Sequence, residues 1–179
     1  AEEKSLPVLA ADFKALAADH DIQLLLVGDG PMRNKLEKQL RGTSHAFAGF
    51  KAGKDYAEIF HLADIFAFPS KTETFGQVVL EAMASELAVV GFNAPGVRDQ
   101  IRDQETGLLV EPDLDGKDSL KPALKQLIKE EALRKRLGLA ARTSAQSKSW
   151  SQILGDFTQE YQDLVGHCEH SEAISTTNS

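Results

Sequence analysis

The sequence predicts an α/β fold built on a doubly wound parallel sheet, with extra helices at its C-terminal end. Three observations carry that expectation. Short apolar runs alternate with helical patterns over the first 110 residues. The runs lack clean in-out alternation, as expected when helices cover both faces of a parallel sheet. After Gly116 only helical periodicity remains.

Leu6 to His20 places apolar residues at 6, 9, 13 and 16, which is one face of a helix. Ile22–Val27 (IQLLLV) reads as a buried strand, broken by Gly28-Asp29-Gly30-Pro31. Pro31 suits the first turn of a helix that runs to about Arg41. A strand follows at His45–Phe50, a helix at Asp55–Leu62, and a strand at Asp64–Phe68 closed by Pro69-Ser70. Gly76–Ser85 is helical, and Leu87–Phe92 and Gly107–Val110 are strands. Ser119–Glu130, Ala132–Ser147 and Ser151–Val165 are helices, the last with an apolar stripe of Ile153, Leu154, Phe157, Tyr161 and Leu164. From Gly166 onward small polar residues dominate and the pattern vanishes. That divides the chain into a domain over 1–165 and a disordered tail over 166–179.

Bulk composition narrows the function classes. The chain has 179 residues and a hydrophobic fraction of 42%, enough for one full core. Its net charge of −7 argues against nucleic acid as a partner, since phosphate binding needs a basic surface. No run approaches the ~18 apolar residues needed to cross a bilayer. The opening AEEKSLPVL has neither the form of a signal peptide nor an initiator Met, and is expected to be a chain entered midway. The single cysteine, Cys168, fits a reducing compartment. Together these features point to the cytoplasm.

Ligands of open parallel sheets bind at the carboxyl ends of the strands, in loops that lead into helices. Three such loops stand out: at Gly28, at Gly49-Phe50, and from Ser70 to Gly76. Gly76 lets the backbone approach a ligand closely where a helix begins. The free amides of Gly76, Gln77 and Val78 would face an anion, aided by the helix dipole, and a pyrophosphate suits that place. Glu73 lies just before the helix. Glu81 lies five residues into it, about 7–8 Å along the axis at ~1.5 Å per residue. That is close to the separation of a ribose from the distal phosphate of a nucleoside diphosphate. A carboxylate that accepts two hydroxyl hydrogen bonds is a natural ribose clamp. By itself a Glu in the second turn of a helix is usually solvated, and a Glu before a helix is usually a loop acid.

Glu73 and Glu81 form a Glu-x7-Glu motif that resembles the large family of retaining glycosyltransferases with two Rossmann-like domains, the GT-B fold, family 4 (glycosyl transferases group 1). Further matches stand in order: Gly28-Asp29-Gly30-Pro31, Phe47-Ala48-Gly49-Phe50, Ala63-Asp64 to Pro69-Ser70, Glu81-Ala82-Met83-Ala84 and Gly107-Leu108-Leu109-Val110. The resemblance covers about residues 1–165 and implies the C-terminal, nucleotide-sugar-binding domain of such an enzyme. It implies that Glu73 contacts the transferred sugar, as the catalytic acidic residue, and that Glu81 binds the ribose. The backbone of Thr74, Phe75, Gly76, Gln77 and Val78 would then cradle the sugar and diphosphate, and Gly28 and Ser70 would be further donor-binding residues. Gly49 and Phe50 would hold the base. Lys4 would be one half of a Lys/Arg phosphate clamp whose Arg lies upstream of Ala1.

The same resemblance implies transfer of a hexosyl group from a UDP- or GDP-sugar to a lipid or growing polysaccharide, as in cell-envelope glycan or glycolipid synthesis. Anomeric configuration is retained and no metal or other cofactor is needed. An N-terminal acceptor domain, absent from this chain, would complete the site. Peripheral attachment at the inner face of the membrane would run through that missing half. The alternatives are a non-catalytic nucleotide-sugar-binding fragment or subunit of a split enzyme, and a sugar-nucleotide epimerase. Where the family has Gly after Ala-Ser and then a Pro, this chain has Glu86 and Ala88. Glycine there would form a left-handed helix cap, so Glu86 implies mild strain worth about 1 kcal/mol.

Other signals fall away. Gly28-Asp29-Gly30 lacks the third glycine of a dinucleotide fingerprint, since Arg33 occupies its place. Asp113-Leu114-Asp115-Gly116 lacks the later Glu of a calcium loop. His167-Cys168-Glu169-His170 has no second ligand pair for a metal. His20, His45 and His61 read as loop or satisfied surface residues, and Arg134, Lys135 and Arg136 as a solvated helix face.

Overall fold

A computed structural model describes residues 5–72, 76–113, 115 and 117–147. The chain divides into two compact units, Ala1–Ser144 and Ala145–Ser179. Of the second, residues 145–147 are described, as the end of the last helix. The expected helix at Ser151–Val165, the tail, Cys168, Lys4 and Glu73–Phe75 all lie outside the described residues.

The described elements are helix α1 (Leu6–Leu16), strand β1 (Leu24–Val27), α2 (Arg33–Gln39), β2 (His45–Gly49), α3 (Gly53–Phe60) and β3 (Ile65–Phe68). They continue with α4 (Gln77–Ala84), β4 (Ala88–Phe92), β5 (Leu108–Val110), α5 (Lys121–Lys129) and α6 (Glu131–Ser147). All strand pairing between these elements is parallel, as expected of an α/β fold. Hydrogen bonding groups the strands into two ladders, β1-β2 and β3-β4-β5. The central strand β4, Ala-Val-Val-Gly-Phe, is buried at every position. A strand flanked on both sides and covered on both faces has no place for a polar side chain.

One helix serves both ladders. Pro7 opens α1 within its first turn, where its missing N–H costs nothing. Leu9 and Leu16 of α1 join Val90, Phe92, Leu108, Leu120 and Leu137 in one core cluster. Ala10 and Phe13, on the neighbouring stripe, join Leu36 and Leu40 with Leu24, Leu26 and Phe47 against them. Asp12 lies beside the Leu9–Leu16 stripe, 7% exposed, and accepts hydrogen bonds from Ser119 Oγ (2.8 Å), Leu120 N (2.7 Å) and Lys121 N (3.1 Å). It caps the start of α5 from the far end of the sequence, satisfying amides that have no acceptor inside the helix.

The strain expected at Glu86 is present. Its φ is +66°, in the left-handed region that glycine normally fills. The turn is fixed from two sides. Glu86 N donates to Met83 O (3.0 Å), and Arg142 donates to the Glu86 carboxylate (2.9 Å).

Candidate functional site

Strand ends and helix starts converge at two places. The first is built from β1 and β2. Their register runs Leu24↔His45 to Leu26↔Phe47, then slips so that Val27 pairs with Gly49. The slip leaves Ala48 as the extra residue and delivers Gly49 opposite Gly28. Gly28 N donates to Gly49 O at 2.8 Å, and the φ values are +112° and +68°. The two glycine loops singled out in the sequence are therefore one surface. Phe50, next in the chain, is 80% exposed, a free aromatic face at the strand ends. A cleft of about 390 Å³ opens beside it, between β1, β2 and α3, with Leu25, Ala48, Lys51, Asp55 and Ile59 in its walls. That cleft does not reach Gly76 or Glu81.

The second place is the passage from β3 into α4. Pro69 and Ser70 are buried at the end of β3, and Ser70 Oγ donates to Thr72 O (3.3 Å), which turns the loop. Lys71 pairs with Asp118, whose side chain is only 6% exposed, and Asp118 also accepts from Asp113 N (3.0 Å). The loop is thus tied to the segment that follows β5. Gly76 caps α4 with φ +68°, and its carbonyl accepts from Val79 N (2.9 Å) and Leu80 N (3.2 Å). A Cβ on Gly76 would stand 2.6 Å from Gly96 O and 3.4 Å from Gln100 Cγ. The place that a side chain would take at this glycine is thus filled by the Gly96 backbone. The amides of Gln77 and Val78 stand in the first turn of α4, where no helical carbonyl precedes them.

Glu81 lies on α4 between that helix start and α3. Tyr56 Oη donates to Glu81 Oε2 at 2.8 Å, and Gln77 Nε2 donates to Oε1 at 3.2 Å. Burial first, then the hydrogen bond to Glu81 and the charge of that carboxylate, push the Tyr56 phenol up to about 12. Ser85 Oγ closes back on Glu81 O (2.9 Å). Tyr56 and Asp118 were not singled out from the sequence. Tyr56 belongs to an amphipathic helix, and nothing in its neighbours' identities signals a partner 25 positions away.

The discounted signals find ordinary partners. Asp115 N donates to Asp113 Oδ1 (2.7 Å), which is turn chemistry. His45 Nδ1 lies 3.0 Å from Thr43 O, and its ring meets Phe47 edge-on. Arg134 donates to Leu127 O (2.8 Å), Arg136 to Gln104 O (3.2 Å), and Lys135 pairs with Glu131. Lys135 and Arg136 are exposed, as on a solvated face, and Arg134 is half-buried. Among the described residues no group of three His, Cys, Asp or Glu could hold a metal ion. No described helix is long and apolar enough to cross a membrane.

Residues 1–144 match the family described as glycosyl transferases group 1. A GDP-mannose-dependent alpha-mannosyltransferase of Mycolicibacterium smegmatis is 38% identical over 167 residues, which is 93% of this chain and 42% of that protein. Sulfoquinovosyl transferase SQD2 of Arabidopsis thaliana is 36% identical over 151 residues, 83% of this chain and 29% of its own length. This chain therefore spans less than half the length of these relatives. Among solved structures, the C-terminal domain of a group 1 glycosyl transferase from Francisella tularensis superposes with a TM-score of 0.73 at 24% identity, covering 83% of this chain and 80% of that one. Anabaena HepE, solved with UDP and glucose, gives 0.76 at 22% identity over 91% of this chain and 46% of its own. At such identities the likeness is one of fold, and the fold is a GT-B glycosyltransferase domain. By sequence and by fold, the chain belongs to the glycosyl transferases group 1.

Proposed function

We propose that this chain supplies the donor site of a retaining hexosyltransferase that uses a nucleoside-diphosphate sugar. One observation carries the reading most directly. The start of α4, with Gly76 in a left-handed cap and the first-turn amides of Gln77 and Val78, stands on the same short helix as the Glu81 carboxylate. Amides at a helix start suit a diphosphate, and a carboxylate further along suits a ribose. Gly28, Gly49 and Phe50 form the surface on which the base would rest. Ser70 turns the chain just before Glu73, Thr74 and Phe75, the residues that would meet the sugar. Lys4 would add a cation on the phosphates.

In this mechanism no side chain of the chain attacks the sugar. The helix amides and Lys4 stabilise charge as the diphosphate departs, in the manner of preorganised donors. Glu73 holds the sugar hydroxyls and stabilises positive charge that develops on the ring. The leaving phosphate helps deprotonate the acceptor on the same face, which gives retention. No metal is needed. The acceptor, a lipid or growing glycan, would be bound by a preceding domain, through which any contact with the inner face of the membrane would run. The domain would extend to about residue 165.

Because the mannosyltransferase relative is named for GDP-mannose, that sugar nucleotide is the first donor to test. Melting of the full chain against GDP-mannose, UDP-glucose, GDP and UDP should give a ligand-dependent rise for one of them, since a ligand that binds only the folded state stabilises it. In the enzyme joined to its acceptor domain, Glu81→Ala should weaken donor binding at least about tenfold, in line with ~1.5–3 kcal/mol for a charge-assisted hydrogen bond. Glu73→Ala should chiefly lower turnover. Unchanged donor affinity in Glu81→Ala would remove the ribose assignment.

A second reading has its own support. A chain under half the length of its relatives could bind the nucleotide sugar and catalyse nothing alone, as a fragment or one subunit of a split enzyme. Sugar transfer by the isolated chain would exclude that reading.

A further inference from the structure

The Glu81 carboxylate carries one protein donor on each oxygen: Tyr56 Oη on Oε2 at 2.8 Å and Gln77 Nε2 on Oε1 at 3.2 Å. A carboxylate has about four lone-pair sites, so each oxygen retains acceptor capacity. Two adjacent hydroxyls of a ribose could fill that capacity, one on each oxygen, provided that the carboxylate is held in one plane.

Gln77 is exposed and lies one turn away on the same helix, so it orients the carboxylate weakly. Tyr56 comes from a different helix and is itself held. Its ring meets Phe60 edge-on, with centroids 5.3 Å apart and planes at 85°. Phe60 contacts Phe66 (6.1 Å), and Phe66 stacks on Phe68 (6.0 Å) within β3. Phe60 and Phe68 are buried. A row of aromatic rings therefore runs from β3 to the Tyr56 hydroxyl and fixes where that hydroxyl points. Edge-to-face pairs of this kind favour one ring orientation.

We infer that Tyr56 is a positioning residue for the nucleotide's ribose: it locks the plane of the Glu81 carboxylate so that both adjacent hydroxyls are read together, and thereby sets the preference for ribose over 2′-deoxyribose. This inference rests on the donor-site reading of Glu81. Its phenol stays protonated, and so remains a donor, far above neutral pH. A carboxylate freed of Tyr56 would rotate and read one hydroxyl well or two poorly.

The test is calorimetric titration of the full chain with GDP, UDP and their 2′-deoxy counterparts, in the native sequence, Tyr56→Phe and Glu81→Ala. Tyr56→Phe keeps the ring and its edge-on contact with Phe60 and removes the hydroxyl alone. It should raise Kd for the ribonucleotide about fivefold, less than the loss of a whole hydrogen bond to a charged group because the carboxylate still accepts from one hydroxyl, and leave Kd for the 2′-deoxynucleotide nearly unchanged. The ribose preference should collapse accordingly. Equal weakening of both nucleotides would mark Tyr56 as merely structural and overturn the inference. So would tighter ribonucleotide binding, which would show that Tyr56 competes with ribose for Glu81. If Glu81→Ala weakens ribonucleotide binding while Tyr56→Phe leaves the preference intact, the inference fails and the donor-site reading stands. If Glu81→Ala changes nothing, or the native chain binds none of the four, both fail.

Discussion

The carbonyl oxygen of Glu86 rests against Gly138 of α6, so close that a Cβ on Gly138 would lie 2.3 Å from it. The contact sets how α6 packs on the turn between α4 and β4. In a helix with space around it, glycine to alanine gains about 1 kcal/mol from propensity alone. Here the intruding methyl would meet backbone, which cannot swing aside. Gly138→Ala should therefore destabilise the fold, by about 1–3 kcal/mol as for overpacking elsewhere. Urea unfolding measures it, and a raised midpoint would mean that α6 can slide off the turn at little cost.

Glu86 itself is the other half of that contact, held at φ +66°. A left-handed residue with a Cβ costs roughly 1–2 kcal/mol, while glycine forfeits about 0.5–1 kcal/mol in the unfolded chain. The exposed pair between Glu86 and Arg142 offsets little, since such pairs are worth ~0–1 kcal/mol. In an Arg142→Ala background, Glu86→Gly should raise stability by about 0.5–1 kcal/mol. Arg142→Ala alone should shift it by less than about 0.5 kcal/mol. A loss on Glu86→Gly would show the turn to be unstrained.

How far the sequence reached can be judged from particular residues. Element order was legible because each strand is bounded by its own punctuation: Gly28 and Pro31 after β1, Pro69 after β3, Gly107 before β5. Glu86 was legible as strain because the family that the chain resembles has Gly at that place, where a left-handed cap ends the helix. Boundaries moved where a partner strand decides. Ile22 and Gln23 read as strand but lie outside the ladder, since β2 begins opposite Leu24. The split into two ladders has no local signature. Nor does the Tyr56–Glu81 contact, which depends on how α3 packs beside α4. The bond from Asp12 to Leu120 spans 108 positions and is invisible to periodicity, which marks Asp12 as a polar break in an apolar face. Of the expected site residues, the structure brings Gly28 to Gly49 and sets Gly76, Gln77, Val78 and Glu81 on one helix start. Glu73, Thr74, Phe75 and Lys4 lie outside the described residues.

Asp12 ties α1 to α5 through three hydrogen bonds, to the Ser119 hydroxyl and to the Leu120 and Lys121 amides. Removing a helix cap costs about 0.5–2 kcal/mol, and leaving a buried amide without an acceptor adds about 1–3 kcal/mol. Asp12→Ala should destabilise by more than about 2 kcal/mol on that reckoning. Asp12→Asn, which keeps an acceptor oxygen, should recover part of the loss. Equal losses for both, by chemical denaturation, would mean that the carboxylate's charge rather than its acceptor geometry holds α5.

Tyr56 makes the chain's alkaline behaviour specific. Its phenol ionises near 12 in the fold instead of 10.0, because burial and the neighbouring Glu81 carboxylate both disfavour a second negative charge. The unfolded chain releases that proton first as pH rises. The stabilisation is therefore complete below about 10 and is lost as pH climbs toward 12. Absorbance titration in a Tyr161→Phe background isolates Tyr56, since the chain has two tyrosines. Glu81→Gln should lower the midpoint, yet leave it above 10.0 because burial remains. A midpoint unmoved by Glu81→Gln would show that the hydroxyl and carboxylate are apart in solution.

Gly76 and Gly30 separate two uses of glycine in the loops at the strand ends. At Gly76 the backbone is left-handed and the Cβ position is taken by Gly96 O at 2.6 Å. At Gly30 nothing lies within 4 Å. Gly76→Ala thus adds backbone strain of roughly 1–2 kcal/mol to a collision with a carbonyl, and should destabilise the chain by more than about 2 kcal/mol. Gly30→Ala should be neutral to within ~0.5 kcal/mol. The functional consequence follows from where Gly76 sits. Relieving the clash means moving the start of α4 away from Gly96, which carries the amides of Gln77 and Val78 with it. If those amides hold the diphosphate, nucleotide affinity should fall at least about tenfold in Gly76→Ala, measured well below its melting temperature, since even a 1 Å displacement of a binding group is costly. Native-like affinity in a destabilised Gly76→Ala would place the diphosphate elsewhere and leave Gly76 with a packing role alone.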